Sequence, residues 1–473
     1  VSAPLWTYEE LASAVGGRLR GRAPETLSSV TFDSREVRGG EVFFAIRGVR
    51  MDGHAFAAEA LRQGAALAVV SEPDEEMAAA GPLQVVEDTL TALRALARAA
   101  RRRAAARVIG VTGSVGKTTT KDMLAHALAG AGQVHAARAS FNNHWGVPLT
   151  LARLPRDADF AVVEMGMNAP GEIAQLTALA RPHVAIVTHV AESHIGAFGS
   201  LAGIARAKAE IFSGLEAGGI AIINGDAPHA DILQAAARRA GAARVITYGE
   251  AQERDIRLLE ARSDDKGVSV CAVVEGEEAM WRVGAPGRHV ALNSLAVIGA
   301  GCALGLDLPA LMHRLADFAV PAGRGARHVL RLPRGGTVLL IDESYNANPA
   351  SVRAALAALG DTEPGPGGRR VAVLGDMLEL GELGPRLHED LAGAVLAAGV
   401  DVVHACGPLM KHLWEALPAD RRGAWRENSA ALEPVVTADV RPGDVIMVKG
   451  SLGSRMGPLV QALRQRLAPV AEE

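Results

Sequence analysis

Two rhythms of apolar residues organise this 473-residue chain. RVIGVTG, FAVVEMG and VAIVTHV are almost continuously apolar, as parallel strands covered on both faces must be. GEIAQLTALA and SLAGIARAKAEIF, lying between and after them, carry helical spacing. This alternation over residues 106–318 predicts a central unit built on a parallel sheet. One stretch within it differs: VSVCAVV and AMWRVG, between about 255 and 285, alternate and predict an antiparallel patch. A third block, 319–473, follows the turn-rich PAGRGARH; its runs TVLLID, RRVAVLGDM, DVVHACG and DVIMVKG predict a second doubly wound sheet. The first block, 1–105, opens with TYEELASAVGG, where Thr7 caps a helix, Glu10 reaches back and Gly16-Gly17 ends it. VTFDSR, VFFAI and ALAVVS predict strands and HAFAAEALRQG a helix, giving a small mixed α/β unit. TLTALRALARAARRRAAARV reads as one helix whose Arg101, Arg102 and Arg103 form a solvated face leading into a linker.

Composition narrows the class. With 49% apolar residues there is ample core material, and a net charge of −4 argues against a nucleic-acid binder. Cys271, Cys302 and Cys406 are far apart and form no Cys-x-x-Cys pair, which suits a reducing compartment and gives no zinc site. VSAPLWTYEE lacks a basic-then-apolar leader, and no run of about 18 apolar residues predicts a membrane span. The expected setting is the cytoplasm, and three internally complete domains are expected to work as a monomer.

The chemistry concentrates at VTGSVGKTTT. A strand predicted at 107–112 and a helix at 117–129 flank Gly113, Ser114, Val115 and Gly116. Glycines let backbone N–H groups curl around phosphate oxygens, and the helix N-terminus adds partial positive charge. Lys117 is placed to reach terminal phosphates and Thr118 to hold Mg²⁺, with Thr119 beside it. The spacing is G-x-x-G-x-x-G-K-T from Gly110 to Thr118, because Val111 stands where the commoner G-x-x-x-x-G-K-[ST] pattern has glycine. Glu164 ends one buried strand and His194 follows another, both on the rim where an open parallel sheet binds ligands. Glu164 reads as a Mg²⁺ ligand or an exposed strand-end acid. His194 reads as a ligand or a hydrogen-bonded loop histidine, and the preference of Mg²⁺ for oxygen favours the second. Lys208 taken alone reads as a surface lysine on a helix.

Several stretches together resemble the Mur ligases of peptidoglycan synthesis, ATP-dependent enzymes that add amino acids to UDP-N-acetylmuramic acid. FDSREVRGGEVFFAIRG is similar to the family's uridine-nucleotide domain. GSVGKTTT, FNNHWGVPLTL, VVEMGMN and SLAGIARAKAEIF are similar to its central ATPase domain. IDESYNANPASV and VLGDMLELG are similar to its C-terminal domain and typical of the branch that adds D-Ala-D-Ala; the D-N-P-R motif of the diaminopimelate-adding branch is absent. The resemblance implies an α/β chain of three domains: a UDP-sugar-binding domain (1–105), a P-loop ATPase domain (106–318) and a Rossmann-like, doubly wound domain (319–473) that binds the incoming dipeptide and closes on ATP. It implies that Lys117 contacts the γ-phosphate, that Thr118, Glu164 and His194 hold Mg²⁺, and that Lys208 becomes a carbamate ligand. Asn293 then meets adenine, Arg324 the phosphates and Asp342 the ribose. Ser34 and Arg35 fall in the uridine-nucleotide region, Asn142 and Asn143 on a substrate-facing loop, and Tyr345, Asn346 and Asn348 near dipeptide or nucleotide. Asn348, followed by Pro349, reads equally as a helix N-cap.

Two departures stand out: Val290 interrupts the family's His-Asn-x-x-Asn at His289 to Asn293, and Leu452 replaces the arginine of Lys-Gly-Ser-Arg after Lys449, with Arg455 one turn further on. The implied activity joins D-Ala-D-Ala to UDP-N-acetylmuramoyl-tripeptide through an acyl phosphate. Two rivals are a ligase of folylpolyglutamate-synthase or other Mur type and an ATP-binding sensor or scaffold.

Overall fold

The computed structural model describes residues 4–469, apart from 23, 49, 50, 138, 139, 265 and 334. The central sheet has nine strands, in the order Glu277–Val283, Gly267–Val274, Ile256–Asp264, Arg244–Gly249, Ile220–Asn224, Val184–Val187, Arg107–Thr112, Phe160–Glu164, Val134–Ala136. Pairing is parallel from Val134–Ala136 as far as Ile256–Asp264, and antiparallel beyond, as the alternating runs predict.

Successive strand residues face opposite sides, so a continuously apolar strand feeds two cores at once. Val108, Ala161, Val163, Ala185 and Val187 join one cluster, while Ile109, Val111, Val162, Val184 and Ile186 join another. The same division governs the C-terminal sheet, ordered Arg422–Arg426, Val402–Cys406, Arg370–Gly375, Val445–Lys449, Thr337–Glu343, Ala326–Arg331, Ala468–Pro469. Ala372 and Leu374 enter one cluster, Val371 and Val373 the other. Ala326–Arg331 begins inside the stretch expected to be turn. Of its residues only Leu330 is buried, so backbone pairing with Thr337–Glu343 defines it and no hydrophobic pattern announces it.

The N-terminal unit has a five-stranded sheet, ordered Arg18–Arg20, Leu83–Val85, Leu67–Val70, Glu41–Phe44, Ser29–Thr31, and a small ribbon of Trp6–Thr7 with Thr26–Leu27. Its first helix, Tyr8–Val15, carries the expected capping box of Thr7 and Glu10. The helix Thr89–Arg103 bridges to the central unit and corrects the reading of its arginines. Arg101 is buried, its Nε donating to the Ala180 carbonyl (2.8 Å) and Nη2 to that of Arg181 (2.9 Å). The Arg103 guanidinium lies 3.3 Å above the Trp6 ring and donates to the Leu5 carbonyl at 2.7 Å. Arg102 alone keeps the solvated role. Among the described residues no helix is long and apolar enough to cross a membrane.

Candidate active site

The phosphate loop follows Arg107–Thr112 and enters the helix Lys117–Leu128. Gly116 caps that helix at φ +85°, and a Cβ there would meet Asn293 Oδ1 at 2.7 Å. A Cβ on Gly113 would collide with Thr188 Oγ1. The loop is pinned from behind: Ser114 Oγ donates to the Ala191 carbonyl (2.9 Å), and Thr188 Oγ1 donates to that of Val115 (2.6 Å). Lys117 Nζ folds back onto the Gly113 carbonyl at 2.6 Å. Burial pushes its ammonium below the usual lysine range; Glu164 opposes this and Arg324 adds to it.

Opposite the loop, the buried Glu164 accepts from Thr118 Oγ1 through Oε2 and from Asn142 Nδ2 through Oε1, both at 2.7 Å. Lys208 is 2% exposed on the helix Leu201–Ala209, which corrects its isolated reading as a surface lysine. It has no hydrogen-bond or ion-pair partner among the described residues. Burial, then the charge of Lys117, drive its ammonium well below the usual lysine range. His194 places Nδ1 2.9 Å from Glu379 Oε2, an acid of the C-terminal sheet's loops.

That sheet closes the cleft from the other side. Arg324 Nη2 donates to Ser140 Oγ at 2.9 Å while its guanidinium stacks 4.1 Å from the Tyr345 ring. Ser140 Oγ in turn lies 3.3 Å from Thr118 Oγ1. Asn348 is the helix N-cap that its sequence allows, and it also reaches across the cleft. Its side chain caps the helix Pro349–Gly360, and its Nδ2 donates to Ser193 Oγ (2.8 Å) across the interface. The cleft so formed holds about 510 Å³ and is lined by the loop from Gly113 to Thr119, Asn142, Glu164, His194, Lys208, Asn293, Arg324, Tyr345, Asn346 and Asn348.

Other candidates stand apart from it. Asp342 spends its carboxylate on the Gly323 N–H (3.0 Å) and on the Ser344 N–H and hydroxyl (3.1 and 2.6 Å), shaping the turn that carries Arg324. Asn143 Oδ1 accepts from the N–H groups of Trp145 and Gly146, starting the next helix. Ser34 and Arg35 lie in the N-terminal unit, where the exposed Arg35 pairs with Asp33. Val290 packs in the core, Leu452 is 67% exposed at the cleft, and Arg455 precedes the last helix, Met456–Arg466, instead of lying along it. Ser140, Ser193, His289, Glu343 and Lys449 also line the cleft. The buried Lys449 and the partly buried Glu343 form an ion pair at 3.1 Å. That pair is set by strand register, Glu343 facing Lys449 across neighbouring strands of one sheet, whereas the approach of Ser140, Ser193 and His289 to it depends on how two sheets dock, which no local sequence pattern shows.

Three family models fall in register with this architecture: "Mur ligase family, catalytic domain" on residues 26–101, "Mur ligase middle domain" on 111–301, and "Mur ligase, glutamate ligase domain" on 329–452. A Bacillus subtilis protein named UDP-N-acetylmuramoyl-tripeptide–D-alanyl-D-alanine ligase is 34% identical over 97% of this chain and 98% of its own. The chain belongs to the Mur ligase family. Among solved structures, MurF from Acinetobacter baumannii matches with a TM-score of 0.84 at 29% identity, covering 98% of this chain and all of its own. MurF ligase from Thermotoga maritima, solved in complex with ADP, matches at 0.76 and 27% identity, over 93% and 97% of the two chains. The three-domain Mur ligase architecture is therefore that of this chain, and ATP-dependent ligation is the family's chemistry.

Proposed function

We propose that this Mur ligase joins D-Ala-D-Ala to UDP-N-acetylmuramoyl-tripeptide, cleaving ATP to ADP and phosphate. The observation that carries the reading is the convergence, in one cleft, of the phosphate loop, the Thr118–Glu164 pair, the unpaired buried Lys208 and Arg324 from the third domain. The B. subtilis relative's name supplies the substrates. In this reading residues 1–105 bind the uridine nucleotide, with Ser34 and Arg35 in that region. Residues 106–318 bind ATP, with Asn293 toward adenine and Asn142 and Asn143 on the substrate loop. Residues 319–473 take the dipeptide, with Tyr345, Asn346 and Asn348 nearby and Asp342 toward the ribose side.

A carboxylate oxygen is a poor leaving group. Transfer of the γ-phosphoryl of ATP to the tripeptide's terminal carboxylate forms a C–O–P linkage as the bond to ADP breaks. The D-Ala-D-Ala amine then attacks the acyl carbon and loses a proton, the C–N bond forms, and phosphate leaves. No protein nucleophile takes part, so catalysis is positioning and charge stabilisation. Lys117 leaves the Gly113 carbonyl for the terminal phosphates, and Arg324 adds a second cation from the closing domain. The cleft chemistry fits Mg²⁺: Thr118 Oγ1 and Glu164 Oε2 are hard oxygen donors 2.7 Å apart. Thr118, Glu164 and His194 would hold it, carbamylated Lys208 would help a second Mg²⁺, and such ions, when bound, neutralise phosphate charge. Lys208 is suited to carbamylation because its lowered pKa supplies the neutral amine that attacks carbon dioxide; proton loss leaves an anionic oxygen donor.

The test is phosphate release from ATP with UDP-N-acetylmuramoyl-tripeptide, with and without D-Ala-D-Ala. Release that needs both, with a UDP-pentapeptide product by mass spectrometry, is expected. No release with either the diaminopimelate or the lysine tripeptide, from protein that still binds ATP, overturns the reading and favours a sensor or another ligase substrate.

A further inference from the structure

The bond between His194 and Glu379 joins two unusual residues. His194 has φ +58° and Glu379 φ +65°, both left-handed. Only six non-glycine residues among those described adopt positive φ, and these two meet across the domain interface. Such conformations persist where surrounding structure over-determines them, and they cluster at functional sites. Both loops are held firmly. On the Glu379 side, the Met377 N–H donates to His388 Nε2 and the Leu378 N–H to Ser451 Oγ, each at 2.9 Å. On the His194 side, Ser193 Oγ receives Asn348 Nδ2 at 2.8 Å. The two backbones also pack closely one turn on, since a Cβ on Gly196 would meet the Gly381 Cα at 3.3 Å.

The chemistry of the contact is directional. An imidazole has two nitrogens, and whichever donates its N–H to a carboxylate leaves the other as a lone-pair donor. Glu379 takes Nδ1, and Nε2 has no partner among the described residues. We propose that Glu379 is a positioning residue for the metal site: it fixes His194 with Nε2 as the metal-facing nitrogen, and, because it belongs to the C-terminal domain, it completes that ligand only when the domains close. The carboxylate also makes the imidazole a better donor, which helps a nitrogen compete for a cation that prefers oxygen. This inference rests on the proposed role of His194 as a metal ligand.

The test uses Mn²⁺ as a paramagnetic replacement for Mg²⁺, with the full-length protein, a non-hydrolysable ATP analogue and histidine labelled with nitrogen-15. Electron paramagnetic resonance reads Mn²⁺ affinity and the hyperfine coupling from a histidine nitrogen. The unsubstituted protein is expected to show that coupling. Glu379→Ala should weaken Mn²⁺ binding by roughly 10- to 100-fold and reduce the coupling. Glu379→Gln, which keeps a carbonyl acceptor for the Nδ1 hydrogen, should lie between the two. If either readout stays at its unsubstituted value in folded Glu379→Ala, the proposal is overturned. The Glu379 side chain is 64% exposed. Should the alanine variant nonetheless not fold, Glu379→Asp, which withdraws the carboxylate, is judged by the same two criteria. Absence of histidine coupling in the unsubstituted protein would overturn both this proposal and the ligand role of His194. Coupling that keeps its unsubstituted size in folded Glu379→Ala would overturn this proposal alone.

Discussion

Lys208 is buried with no acid paired to it, and an isolated ammonium in such a place is expensive. Its pKa falls below the ordinary 10.5 on folding, so the folded chain binds fewer protons than the unfolded chain. Stability from this group therefore rises with pH between the lowered folded value and 10.5. Lys208→Met should accordingly raise the melting midpoint of the ligand-free, carbon-dioxide-depleted protein near neutral pH, with the gain shrinking as pH approaches 10.5. The same substitution should abolish ligase activity. An unchanged or lower midpoint at neutral pH would mean that the lysine is not paying a burial penalty. Lys117 tests the other cation: Lys117→Ala should lower kcat by at least about 10²–10³-fold, the cost of one lost charge-stabilising donor. Phosphate release at the normal rate would rule out its assignment. Lys117 was legible because its role is local, between a strand, two glycines and a helix. Lys208 was not, because the pattern ARAKAEIF does not reveal that its helix packs against the ATPase core; only the family resemblance marked it.

Helices explain where sequence pattern succeeds and where it stops. The caps at Thr7 and Asn348 were visible because capping is settled within four residues. Two of the three arginines ending Thr89–Arg103, Arg101 and Arg103, were misread because charge alone cannot say what lies opposite a helix. Arg101→Ala should destabilise the protein by about 2–3 kcal/mol, since it strips donors from the buried Ala180 carbonyl and the partly buried one of Arg181, whereas Arg102→Ala should stay within about 0.5 kcal/mol. Chemical denaturation compares them, and equal small effects would restore the solvated-face reading. Asn348 separates its two duties in one pair of variants. Ser is also a good N-cap but is too short to span to Ser193, so Asn348→Ser should keep the helix and lose the interdomain bond. Its expected signature is near-normal stability with a raised KM for ATP, while Asn348→Ala should lose about 1 kcal/mol as well. If Asn348→Ser matches the unsubstituted enzyme in KM, the contact with Ser193 has no part in closure.

The three domains are not joined alike. Trp6, Leu93, Leu96 and Val108 belong to one continuous hydrophobic cluster with Val147 and Leu151, so the first domain shares its core with the central one. The C-terminal domain keeps clusters of its own and meets the centre through polar contacts, Arg324 with Ser140, Asn348 with Ser193 and Glu379 with His194, and through a close backbone approach of Gly381 to Gly196. A shared apolar core resists separation, whereas a polar interface opens at little cost in exposed apolar surface. The first two domains should therefore move as one body and the third should swing. The three sheets could be read from hydrophobic runs, but this asymmetry could not, because it depends on which faces dock. It predicts that ATP closes the third domain through Arg324, whose guanidinium bridges Tyr345 of its own domain and Ser140 beside Thr118. Distances between spin labels on the second and third domains should shorten and sharpen when a non-hydrolysable ATP analogue and UDP-N-acetylmuramoyl-tripeptide bind. In Arg324→Ala the same ligands should leave a broad, open distribution, and kcat should fall by about 10²–10³-fold. UDP-tripeptide affinity should stay near that of the unsubstituted protein, because the proposed site of the uridine nucleotide lies in the unit with the shared core. Closure at full extent in Arg324→Ala would show that another contact drives the swing; a parallel loss of UDP-tripeptide binding would show that all three domains move together.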